Sequence, residues 1–230
     1  MRKGDMTRQE ILRVSENLFL QKGYEQTSIQ DILDVTHGSK GSFYHHFPSK
    51  DSVLQTLCGN RADRARMTAE QMLKTEFHSM ERLNCLITCA LPLRREESPF
   101  MSMILPLMEL PEGMTVRVVY QDALVRSFSP LLNTELIRGR KDGSIFPCTG
   151  DLAVPLLTLL NAFWQEACGI LMEMSRTKNH TSAAMMQTLL ARYRLLTEHM
   201  LNAPYGSILL ISLSQWEDFS GRVLEGMQHS

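Results

Sequence analysis

The first fifty residues of this chain carry a dense series of helix start and stop signals, and these limit its fold more than any other feature. Thr7-x-x-Glu10 reads as a capping box, and Ile11, Ser15, Leu18 and Phe19 share one face of the helix that follows. Gly23, just after Lys22, stands where a helix C-terminus takes a left-handed residue. A first helix is therefore expected over about residues 8–22. Thr27-x-x-Gln30 opens a short second helix with Ile29, Ile32 and Leu33, ending near Val35. Gly38 breaks the chain, and Ser39 caps a third helix over about residues 40–46. Phe47-Pro48 stops that helix, because a residue before proline disfavours the α region. Ser49 caps a long fourth helix running to about Leu73.

The remaining sequence is also helical in pattern. Further helices are expected over about 79–91, 99–109, 114–140, 151–175, 182–202 and 215–227. Pro92, Pro106, Pro111 and Pro130 should mark ends or kinks. Ser214-x-x-Glu217 should cap the last helix, and the apolar run Ile208–Leu213 before it can be extended. The fold class is all-α. An N-terminal unit over 1–50 would join a helical unit over 51–230 through the shared fourth helix, about 50–73.

Composition excludes several classes. With 43% hydrophobic and 21% charged residues the chain can build an ordinary core. Its formal net charge of −1 argues against a polycationic, non-specific nucleic-acid binder. The longest apolar run, Leu152 to Phe163, is short for a membrane span and contains a proline, so no membrane partner is expected. The basic N-terminus lacks an apolar stretch behind it, and five cysteines without CxxC spacing suit a reducing cytoplasm. No nucleophile elbow, P-loop, dinucleotide glycine motif or HExxH is present, so neither enzymatic activity nor a cofactor or resident metal is expected.

Two short helices joined by a tight turn, with a third to pack against, are the parts of a helix-turn-helix. From Val35 to Lys50 there is no acidic residue, against two lysines and three of the seven histidines. Phe43 and Phe47 lie at i and i+4 and face inward, leaving Lys40, Gly41, Tyr44 and His45 to face out. The plain alternative is a three-helix scaffold whose lysines and histidines are only solvated.

The run GSKGSFYHHFPSKDSVL (38–54) resembles the signature of the TetR family of bacterial transcriptional regulators. LFLQKGYEQTSIQDI (18–32) resembles the same family's upstream pattern, and the likeness covers about residues 7–57. It implies a homodimer that binds a pseudo-palindromic operator in double-stranded DNA, most often as a repressor released by a small effector. Carried over by position, Lys40, Gly41 and Ser42 are the candidates for base edges. Tyr44, His45, His46 and Lys50 are those for phosphate, with Thr27 and Ser28 at the start of the second helix. The turn departs from the family pattern. Thr36-His37-Gly38-Ser39 displaces the glycine by one, so His37 is the expected left-handed residue.

The same resemblance implies a dimer through the last two long helices. Leu156, Leu160 and Phe163 on one, and Met186, Leu189 and Tyr193 on the other, are the expected interface, unless the monomer's own core uses them. Fifteen methionines, several within 101–114, suggest an adaptable apolar pocket lined by Met101, Met103, Met108, Phe128 and Trp164. Gap-filling in the core is the plain alternative. Cys85 and Cys89, four apart, can hold a soft metal or do thiol chemistry, but His78 is the only nearby third ligand in sequence, across a helix start. Two further readings therefore stand: a helical ligand-binding protein that has lost DNA binding, and a thiol- or metal-responsive regulator using those cysteines.

Overall fold

A computed structural model describes residues 7–74, 78–107, 113–146, 151–177 and 182–228. The described residues form ten α-helices and one 3-10 turn, with no strand among them. The helices are α1 (Arg8–Lys22), α2 (Ile29–Thr36), α3 (Lys40–His46), α4 (Lys50–Met72), α5 (Ser79–Ala90), α6 (Ser98–Leu107), α7 (Gly113–Asp142), α8 (Ala153–Thr177), α9 (Ser182–Leu201) and α10 (Leu213–Gln228). The 3-10 turn, Arg95–Glu97, leads into α6. Thr7 caps α1 by accepting from the Glu10 amide, and Gly23 ends it at φ 83° with its N–H donating to the Phe19 carbonyl.

Two caps differ from the sequence reading. Ser28, not Thr27, opens α2, in a reciprocal box with Asp31. Thr27 lies one residue earlier and is fully buried. Ser212, not Ser214, opens α10: its hydroxyl accepts from the Gln215 amide at 3.1 Å, and the Gln215 side chain accepts the Ser212 amide at 2.8 Å. Pro130, expected to mark an end or a kink, sits inside α7, which corresponds to the helix expected over about 114–140. Proline removes one i→i−4 bond there, and the packing of α7 against α4, α5 and α8 holds the helix through it.

The core is continuous from α1 to α10. α4 packs on α1, α5 and α7, and α6 is clasped by α1 and α10. α8 is long and apolar enough to cross a membrane by length and composition alone. Its apolar side, from Leu156 through Phe163 and Trp164 to Met172, is instead buried in protein.

Candidate nucleic-acid interface

α1 is the platform for the two short helices. Ile11, Phe19, Ile32, Leu33, Phe43 and Phe47 are all buried, and Arg8 of α1 stacks on the Phe47 ring at 4.9 Å. α3 is thereby fixed by its inward aromatic pair, Phe43 and Phe47, with ring centroids 6.3 Å apart. Its outer side exposes Lys40, Gly41, Tyr44 and His45, with Ser42 and His46 half-buried.

The turn takes the conformation expected from the displaced glycine. His37 adopts φ 51° and ψ 32°, a left-handed residue that costs a non-glycine on the order of 1 kcal/mol. The Gly38 amide donates to the Leu33 carbonyl at 3.1 Å, and the Thr36 hydroxyl donates to the Ile32 carbonyl at 2.7 Å. Ser39 then caps α3 by accepting from the Ser42 amide at 3.1 Å.

The residues expected to meet phosphate fall into two groups. Tyr44 and His45 lie exposed on α3, with His46 half-buried beside them. Thr27, Ser28 and Lys50 carry internal duties. The Thr27 hydroxyl donates to the Gly23 carbonyl at 2.7 Å, so this side chain is spent inside the domain. The Ser28 hydroxyl donates to the Asp31 carboxylate at 2.6 Å, and Asp31 is paired with Lys22 at 2.8 Å. An anion therefore already sits at the start of α2. The Lys22 ammonium and the Ser28 hydroxyl and amide hold the Asp31 carboxyl well below the usual carboxylate range. Lys50 donates to the Tyr24 carbonyl at 2.8 Å, with its ammonium 4.2 Å from the centre of the Tyr24 ring. Tyr24 in turn donates to Asp51. Its phenol is pushed up by burial and by that carboxylate. Residues that only packing reveals, Tyr24 and Asp51, thus set where Lys50 points.

Most of the residues expected at an effector pocket or a dimer contact are buried within the chain. Met101, Met103, Phe128 and Trp164 are buried, and only Trp164 borders a described cavity. That apolar cavity, of about 10 Å³, also involves Tyr120, Leu124, Leu157, Leu160 and Asn161. Met108 lies outside the described residues. A groove of about 640 Å³ lies between α4 and α7, bordered by Asp63, Arg66, Glu70, Arg126 and Ser127, and it is charged instead of methionine-rich. Leu156, Leu160, Phe163, Met186, Leu189 and Tyr193 are all buried within the chain itself. Helical periodicity identifies an apolar face without saying what covers it. The apolar residues that α8 and α9 do expose are Val154, Met185, Leu195 and Leu196.

No group of three His, Cys, Asp or Glu side chains able to hold a metal occurs among the described residues. Burial pushes the Cys89 thiol up to about 12 and raises Cys85 as well, which disfavours the free thiolate at either position when no cation is bound.

A helix-turn-helix unit set on a longer all-helical body defines the class of protein. Residues 11–57 match the family model of bacterial regulatory proteins of the tetR family. The N-terminal unit is thus similar to the DNA-binding unit of that family. The chain is 44% identical over 54 residues to an HTH-type transcriptional regulator of Lactococcus lactis, a match covering 24% of this chain and 28% of that protein's length. It is 27% identical over 179 residues to the HTH-type transcriptional repressor DhaR of a Mycobacterium, covering 70% of this chain and 79% of the relative. The fold is like that of Thermus thermophilus FadR, a structure in complex with lauroyl-CoA, with a TM-score of 0.56 at 21% identity over 87% of this chain and all of that one.

Proposed function

We propose that the protein is a transcriptional repressor in the cytoplasm that binds a pseudo-palindromic DNA operator as a homodimer and is released by a small effector. The observation that carries this reading is the outer face of α3. Phe43 and Phe47 are buried, Lys40, Gly41, Tyr44 and His45 are exposed, and no acidic residue lies between Val35 and Lys50. Lys40, Gly41 and Ser42 would meet base edges in the major groove, and Tyr44, His45 and His46 would meet phosphates. Lys50 keeps two further N–H donors beyond the one given to Tyr24, so it can serve both the fold and a phosphate.

For the dimer, the exposed apolar residues Val154, Met185, Leu195 and Leu196 are better contact candidates than the six buried ones. An apolar effector would have to enlarge the cavity beside Trp164 and Tyr120, because about 10 Å³ holds no more than about one water. Lauroyl-CoA in the Thermus neighbour supports an acyl-chain effector as the first class to try.

Selection of bound DNA from a random pool tests the central claim. Half-sites related by dyad symmetry are expected, and recovery of unselected sequence would overturn it. Lys40→Ala should then cost about 1–3 kcal/mol of operator binding and relax the sequence preference at one position of each half-site. A loss equal for all sequences would remove Lys40 from the base contacts.

A further inference from the structure

Three sulfur atoms converge at the far end of α4. Met72 closes that helix, and its thioether sulfur lies 4.0 Å from the Cys85 sulfur and 3.8 Å from the Cys89 sulfur of α5. The two thiols stand one helical turn apart on α5. The sequence offers no hint of this third donor, because methionine lies across the α4–α5 connection and His78 had seemed the nearer ligand. The arrangement is held from outside. Arg82 donates to the Leu73 carbonyl at 2.8 Å, one residue beyond Met72. The same guanidinium makes a two-pronged pair with Glu135 of α7, at 2.7 and 2.8 Å. The end of α4 is thereby clamped over α5. The mouth is open, since Met72 is 47% exposed.

We propose that Met72, Cys85 and Cys89 form a three-coordinate site for a soft monovalent cation of the Cu(I) type. A metal–sulfur bond of about 2.3 Å in a trigonal plane places its three sulfurs about 4.0 Å apart, which is close to the spacing of the Met72 sulfur from each thiol. Two thiolates and a thioether are the donors that select Cu(I) over harder ions. Zn(II) would demand a fourth ligand, and among the described residues no third His, Cys, Asp or Glu stands with the two cysteines. The reaction balances without a redox step. Two S–H bonds lose their protons to solvent, both sulfur lone pairs and that of the thioether bind the cation, and the complex carries one negative charge. Arg82 acts electrostatically on Cys85 and Arg94 on Cys89, so that charge has cationic neighbours.

The test uses the full chain, anaerobic and kept reduced with ascorbate, equilibrated with Cu(I) against a competing chelator. One Cu(I) per chain is expected, with X-ray absorption showing three sulfur neighbours. Cys85→Ser/Cys89→Ser should abolish uptake. Met72→Leu, at an exposed position, should weaken it by at least on the order of tenfold, since even outer-shell changes at metal sites cost that much. Cys148→Ser should leave it unchanged. The proposal is overturned if the wild type yields all its copper to the chelator, if either variant at the site binds as the wild type does, or if Zn(II) is held in preference. None of these readouts involves DNA, so they stand or fall apart from the repressor reading.

Discussion

Arg61 and Glu97 form a buried ion pair, with Nη1 2.6 Å from Oε2 and only 5% and 3% of the two side chains exposed. Arg61, in the middle of α4, also pairs with Glu16 of α1 and stacks on the Phe100 ring of α6 at 3.9 Å. Glu97 receives a second cation, Arg94, at 3.3 Å, which itself donates to Thr68 of α4 at 2.8 Å. One guanidinium thus touches the DNA-facing unit through α1 and the helical body through α6. Such a pair returns little net stability against a well-packed apolar substitute, but half of it is costly, because a buried charge is left uncompensated. Glu97→Gln should destabilise the protein by about 3 kcal/mol. The double change Arg61→Met/Glu97→Leu should recover most of that loss in urea denaturation. Equal losses in the single and double variants would show that shape, not charge, is what the site requires.

A second constraint is purely steric. A methyl group added to Gly226 of α10 would come within 2.5 Å of the Ser102 hydroxyl of α6. That hydroxyl has the carbonyls of Ser98 and Val223 within reach of its one proton, at 2.9 and 3.0 Å, and cannot swing away without losing them. Gly226→Ala should therefore cost about 1–3 kcal/mol through overpacking, against the gain expected from alanine in a helix. Combining it with Ser102→Gly should relieve most of the cost. A melting temperature equal to the wild type in the single variant would refute the close approach.

These two sites mark the limit of what the sequence could reveal. Helix boundaries were legible because caps are local: Thr7, Gly23, Ser39 and Ser49 act within four residues of themselves. The outer face of α3 was legible for the same reason, since Phe43 and Phe47 fix its orientation by spacing alone. Partners distant in the chain were not. Nothing in the periodicity of α4 distinguishes Arg61 as a buried residue, or brings Met72 to Cys85 and Cys89. The apolar faces of α8 and α9 were readable, but whether they meet the chain's own core or a second copy depends on α10, whose Trp216 and Phe219 complete the cover.

The Asp31 carboxylate makes a pH-dependent contribution whose direction follows from its environment. Lys22, the Ser28 hydroxyl and the Ser28 amide all favour the ionised form and lower its folded pKa. The unfolded value is about 3.9, so the contribution is complete above that pH and is lost as pH falls towards the folded value. Asp31→Asn should be less stable than the wild type at pH 7, with the gap narrowing steadily below about pH 4. Paired urea midpoints at pH 7 and pH 3 measure it. A gap of constant size would assign the effect to the hydrogen-bond geometry of the cap instead of to its charge.

Gly41 separates what the fold needs from what the proposed DNA contact needs. A Cβ built there meets nothing nearer than the Ser39 hydroxyl at 3.9 Å, an ordinary contact, and its φ is not left-handed. The domain has no internal use for a glycine at this position, and glycine in a helix costs about 0.5–1 kcal/mol relative to alanine. On the proposed reading its value lies outside the chain, where a missing side chain lets the α3 backbone approach DNA. Gly41→Ala should raise the urea midpoint by an amount corresponding to about 0.5 kcal/mol. The same variant should bind operator DNA more weakly than the wild type, with an unchanged salt slope because no charge is altered. Stability and affinity would thus move in opposite directions in one variant. A variant that is stabilised and still binds with full affinity would place the α3 N-terminus away from the DNA.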